Sequence, residues 1–175
     1  MSQMYRTIAA GTLTSLALPL LPTTAAFQGS PYELSALVVE RVRVRNTTIS
    51  FTIHDPEPLA CQTVLCTATW AYGSKAWPTD GYSLCDGSVI GWNMAHFESW
   101  NKFSIGIEHV FKDPGMGPPP YDSVVTYGTA SFDQKLIGCI DTPWSEVCRQ
   151  TPNSVVFAPI TRSSAKRRLR GISAK

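Results

Sequence analysis

The chain has 175 residues, 43% of them hydrophobic and 16% charged, with 12 glycines and 13 prolines. That length gives room for one domain, and the composition excludes a collagen-like chain, a highly charged disordered chain and a polytopic membrane protein. Five cysteines are too few for a scaffold held by disulfides alone, so the domain needs a hydrophobic core of its own.

Met1 to Ala26 reads as a secretory signal peptide. Arg6 supplies a positive start, Ile8 to Leu21 is mostly apolar, and Thr24-Ala25-Ala26 offers small residues for cleavage. The apolar run is shorter than the ~20 residues a membrane span needs, and Pro19 and Pro22 interrupt its end. No later stretch is apolar enough to span a bilayer, so a secreted, extracellular product without a membrane span is expected.

The remainder divides into a single β domain over 27–160 and a basic tail over 161–175. Period-two alternation marks the domain: Arg41-Val42-Arg43-Val44-Arg45, then Ile49, Phe51 and Ile53 between polar neighbours. Asn46-Thr47 between these runs is expected to form the tight turn of a first hairpin. Further strands are predicted at Thr67–Trp70, Val89–Met94, Phe103–Phe111, Val124–Phe132 and Ser154–Ile160, all rich in β-branched or aromatic residues. Turn chemistry separates them at Asp55-Pro56-Glu57-Pro58, Asp80-Gly81, Asp86-Gly87, Asp113-Pro114-Gly115 and Thr142-Pro143. The connection from Asp113 to Asp122, with Gly117-Pro118-Pro119-Pro120-Tyr121 at its centre, is expected to be extended and polyproline-like. Strands this closely spaced, without helical periodicity between them, point to an all-β fold. A compact antiparallel barrel or sandwich of eight or more strands is expected.

The formal charge of +2 is unevenly spread. All 13 acidic residues lie between Glu33 and Glu146, so the body is negative, while 161–175 carries six basic residues and no acid. Such a run reads as a solvated, disordered tail, and Lys166-Arg167-Arg168 within it is a potential processing site. No nucleic-acid partner is inferred from it.

Secretion permits disulfides, and the spacing favours Cys66–Cys85 and Cys139–Cys148, leaving Cys61 unpaired and able to link two copies of the chain. The competing pair Cys61–Cys66 would leave Cys85 free instead.

No catalytic motif stands out. His54, His96 and His109 lack metal-ligand spacing, no nucleophile elbow exists, and no carboxylate pair is singled out by position. Hence no catalytic residue, metal site or cofactor is assigned, and the protein is read as non-enzymatic. Asn46-Thr47-Thr48 is an N-glycosylation acceptor, placed where a turn would expose it. Among the aromatic residues, Trp70 and Trp92 sit in strand patterns and belong to the core. Trp77, Trp100 and Trp144 lie beside turns and are the candidate ligand-binding aromatics.

The order of these features resembles a known family. It runs from the signal peptide through Ser50-Phe51-Thr52-Ile53-His54-Asp55-Pro56 and Cys66-x-Ala68-x-Trp70 to Cys85-Asp86-Gly87. Phe103-x-Ile105-x-Ile107-Glu108-His109, Lys112-Asp113-Pro114 and the Cys139…Cys148 loop follow. The layout is similar to that of fungal small secreted proteins of the Alternaria major allergen family, over about Tyr32 to Ile160. The resemblance implies a compact β-barrel, two intrachain disulfides, no catalytic machinery, and a role as allergen, elicitor or effector. The expected partner is a host extracellular protein or a small ligand. A carbohydrate-binding module retained on cell-wall polysaccharide is the alternative, and a secreted hydrolase the weaker one.

Overall fold

The computed structural model describes residues 29–165. The expected signal peptide and the Lys166-Arg167-Arg168 site lie outside the described residues.

Alternating apolar residues dictate strands that bury one face, and such strands build two antiparallel sheets that pack face to face. One sheet holds β1 (Tyr32–Val42), β2 (Asn46–Asp55), β3 (Gln62–Ala71), β8 (Ile137–Asp141), β9 (Ser145–Gln150) and β10 (Val156–Ala158). Its order is β3-β2-β1-β9-β8, with β10 also pairing β1. The other holds β4 (Ser83–Leu84), β5 (Ile90–Ser99), β6 (Lys102–Lys112), β7 (Ser123–Phe132) and β11 (Ile160–Ala165), in the order β11-β7-β6-β5-β4. The sheets do not close on each other, so the fold is a sandwich rather than a barrel.

The core lies between the sheets. Ile49, Phe51 and Ile53 of β2 face Ile90 and Trp92 of β5 and Phe103, Ile105 and Ile107 of β6, all fully or almost fully buried. Phe51 and Trp92 meet across the gap edge to face at 5.2 Å. Each such side chain contributes about 1.5–3 kcal/mol through burial. The disulfide Cys66–Cys85 ties β3 of one sheet to the residue after β4 of the other. Cys139–Cys148 links directly opposed positions of the β8–β9 hairpin.

A bulge sets the register of β1. Its pairing with β2 shifts between Ser35 and Val38, where Ala36 takes φ 56°. Tyr32 and Leu34 face the core before the bulge; Leu37 and Val39 face it afterwards. The buried Gln150 side chain satisfies the backbone groups this frees. Its Oε1 accepts from Leu37 N at 3.1 Å, and its Nε2 donates to Leu34 O at 3.3 Å and Ser154 O at 2.9 Å.

Three local expectations are corrected. The first hairpin turns at residues 43–45, closed by Arg45 N donating to Val42 O at 3.0 Å, while Asn46 and Thr47 already pair in β2. Arg41 opposite Thr47 is the last β1–β2 pair, so the chain reverses before Asn46 rather than on it. The Asp113–Asp122 connection is not extended. A 3-10 turn at Pro114–Met116, capped by the Asp113 carboxylate, and a Pro118–Tyr121 turn fold it into a closed loop. Finally, residues 161–165 of the expected disordered tail form part of β11, paired to β7 from Val124 to Tyr127. The Arg162 guanidinium sits over the Tyr127 ring at 4.0 Å, which helps seat that strand.

Candidate functional site

The topology gathers the β1–β2, β5–β6 and β8–β9 turns and the start of the β3–β4 loop at one end of the sandwich. Arg43 N donates to Trp144 O at 3.0 Å, and Tyr72 N donates to Arg45 O at 3.1 Å. The β1–β2 turn is thereby bonded through its backbone to the β8–β9 turn and to the start of the β3–β4 loop, and the β5–β6 turn joins them through the Trp100 ring.

Beneath these turns lies an aromatic box. Trp100 stacks on Trp70 at 6.1 Å and meets Trp77 at 5.5 Å and Phe97 at 4.7 Å. Glu146, Arg41, Thr47 and Trp70 are cross-strand neighbours along one row of the sheet. Arg41 pairs with Glu146 and places its guanidinium 5.1 Å from the Tyr72 ring and 5.4 Å from the Trp100 ring. Arg41 Nε and Trp70 Nε1 are buried there without hydrogen-bond partners.

The three candidate aromatics thus separate. Trp77 is only 8% exposed, because the β3–β4 loop folds back and Met94 N donates to Pro78 O at 2.8 Å. Trp100 is half-buried in the same box. Trp144 is 80% exposed at the tip of the β8–β9 turn and takes part in none of the ring pairs among the described residues. Trp70 and Trp92 are buried.

Beside Trp144 stands Val44, 97% exposed at the tip of the β1–β2 turn with φ 57°. A β-branched side chain in the left-handed region costs about 1–3 kcal/mol, and burial returns nothing here. Arg43 Nη2 bonds Asp141 Oδ1 at 2.7 Å, so this flank is polar and fixed. Asn46 is half-buried at the start of β2, on the face opposite Thr47, close behind Val44.

A second constellation lies at the opposite end of the sandwich. Asp55 closes β2 and His109 lies near the end of β6, both facing inward. His109 Nδ1 donates to Asp55 Oδ2 at 2.6 Å, with both side chains 2% exposed. Asp55 Oδ1 also accepts from Glu57 N at 2.9 Å. Tyr32 OH bonds Thr126 Oγ1 alongside. Burial pushes the Tyr32 phenol up from its ordinary value; the Thr126 hydrogen bond opposes this and the nearby Asp55 charge adds to it. In the sequence, Asp55 reads as the start of a turn and His109 as an isolated histidine. They are 54 residues apart on strands of different sheets, and only the packing unites them.

The cysteines take distinct environments. Cys66 and Cys85 are buried in their disulfide, and Cys61 is an exposed free thiol just before β3. Sulfur atoms of Cys139 and Cys148 lie with a Glu146 oxygen within 4.8 Å of one another. The disulfide occupies both sulfurs, which removes the thiolates a metal would need. Among the described residues, no helix is long and apolar enough to cross a membrane.

Comparison with protein-family models and with characterised proteins finds no match to this chain.

Proposed function

We propose that this protein is a secreted, non-enzymatic fungal effector or elicitor that acts outside the cell by binding a host protein through the loop end of the sandwich. One observation carries the reading. Val44 is held in a costly backbone conformation with its side chain in solvent, next to the free ring of Trp144. No folded-state contact repays that strain, and strained residues on rigidly supported loops are characteristic of recognition surfaces. An exposed tryptophan beside the Arg43 turn has the composition of an interface anchor. Two disulfides fit an oxidising compartment, in line with the signal-like N-terminus. The resemblance to the Alternaria allergen family supports the fungal, allergen-like assignment.

The polysaccharide reading is weaker. A sugar platform needs several coplanar exposed rings, whereas Trp77 and Trp100 turn their faces onto neighbours and leave Trp144 alone.

The test uses immobilised full-length protein in host extracellular fluid beside chitin, cellulose and glucan beads. A host protein captured by the wild type and lost with V44D or W144A, with no polysaccharide retention, is the expected result. Retention on a polysaccharide that W144A abolishes would replace the effector reading by the carbohydrate module. Turnover of a glycan or ester would overturn both.

A further inference from the structure

Both sheets end in strands with one unpaired side, and those strands differ in how that side is guarded. β4 and β10 hold only two and three residues. β8 holds five and ends in Asp141, while β11 is bulged between Ile160 and Arg162 and carries that arginine. Shortness, charge and bulges keep an edge from pairing with another chain. β3 has none of these. It spans 10 residues in unbroken register with β2, and its sequence from Leu59 to Ser74 contains no charged residue and no proline.

The free side of β3 has a defined phase. Tyr72 N donates to Arg45 O at 3.1 Å, one step beyond the Asn46–Ala71 pair. Bonded positions alternate along an antiparallel ladder, so the backbone of the even-numbered residues from Gln62 to Trp70 faces β2. The backbone groups of Thr63, Leu65, Thr67 and Thr69 point the other way, and no backbone group elsewhere among the described residues bonds them. The side chains of these same four residues are exposed on the outer face, Leu65 at 54%. Ser74 N donates to Ala71 O, which closes the open run at Thr69.

We infer that this edge binds a second copy of the chain, with two β3 strands paired antiparallel about a twofold axis at Cys66. In that register Thr63 opposes Thr69 of the partner subunit, and Leu65 opposes Thr67 of the partner subunit. All four residues then exchange both backbone bonds, with none left over. Moving the axis by one residue would set Thr69 against Cys61, outside the strand, or draw on Ala71, whose carbonyl is taken. The two Leu65 side chains become diagonal neighbours across the axis and cover each other. Threonines already pair on this face, Thr69 with Thr48 at 3.0 Å. An uncharged strand also meets its own copy without like-charge repulsion. A foreign strand is served less well, because a row of threonines offers no pockets to read its side chains. The opposed strand directions leave the loop end of each copy free.

Full-length C61S, which cannot link copies through that thiol, is followed by sedimentation velocity from about 1 µM to 1 mM. Monomer should give way to dimer across this range. Amide exchange measured by NMR should slow about tenfold at Leu65, Thr67 and Thr69 on concentration, while Val64, Cys66 and Ala68 stay protected throughout. L65K in this background sets two lysines side by side at the axis, and T67P removes an outward N–H without touching the β2 ladder. Each should weaken dimerisation about tenfold or more. L65K should leave the melting temperature of the dilute protein unchanged, and it decides the matter if T67P fails to fold. A chain monomeric up to about 1 mM, a dimer indifferent to L65K, or a dimer in which those three amides are not slowed would overturn the proposal. So would slowing that appears only when a host protein is added, which would give the edge to a foreign strand.

Discussion

Val44→Gly separates folding from function. In the wild type, residue 44 holds φ 57° at the tip of the first turn, and its side chain is 97% exposed. Removing the side chain therefore forfeits almost no buried area and opens no cavity. It relieves a left-handed conformation that costs a β-branched residue about 1–3 kcal/mol. Against this, glycine loses about 0.5–1 kcal/mol more backbone entropy on folding. The balance is a stabilisation of about 1 kcal/mol, equivalent to a rise of about 4 °C in melting temperature for a domain of this size. Urea unfolding followed by tryptophan fluorescence should show a higher midpoint with an unchanged slope. The same variant should bind the proposed host partner less well, because the apolar tip is gone. Destabilisation by more than about 0.5 kcal/mol would refute the reasoning, since surface changes without a folded-state role stay within that range. It would mean that the Val44 side chain does structural work and that its strain says nothing about binding.

Removing the inter-sheet disulfide with C66A/C85A should cost about 3 kcal/mol from loop entropy alone, and C139A/C148A slightly less because its loop is shorter; denaturation midpoints of both check the order. Tyr32 has its phenol raised in the folded state, so its contribution to stability is complete below about pH 10 and lost as pH rises beyond that. Y32F should flatten the alkaline fall in unfolding free energy while costing about 1 kcal/mol at neutral pH through the lost Thr126 hydrogen bond. Gly128 has the Tyr32 ring 2.8 Å from where a Cβ would stand, with Ala158 O at 3.1 Å, so G128A should lower the melting temperature in a thermal scan. The exposed Cys61 thiol should give a disulfide-linked dimer on non-reducing electrophoresis after mild oxidation, absent from C61S.

Much of the sandwich is legible in the sequence because a strand with one buried face must alternate. Ile49, Phe51 and Ile53 announce their common face directly, as do Phe103, Ile105 and Ile107. The Ala36 bulge is not legible, and it reverses which residues of β1 face inward. Extrapolated from Tyr32 and Leu34, strict alternation would turn Val38, Val42 and Val44 toward the core. The bulge instead directs Arg41 under Trp100, and Val44 stands in solvent at the tip of the turn that follows β1. The burial of Trp77 depends on a loop folding back over its own sheet, which turn residues do not specify. Asp55 and His109 escape a sequence reading for a similar reason. One looks like the start of a turn, the other like an isolated histidine, and only the meeting of the two sheets brings them to 2.6 Å.

The most direct measurement of the binding claim is hydrogen–deuterium exchange of the captured complex against the free protein. Protection is predicted at residues 42–46, 72–74, 99–101 and 142–145, the four segments joined at the loop end. Unchanged exchange there, with protection confined to the outer face of β8 and β9 around Ile140 and Arg149, would contradict the account.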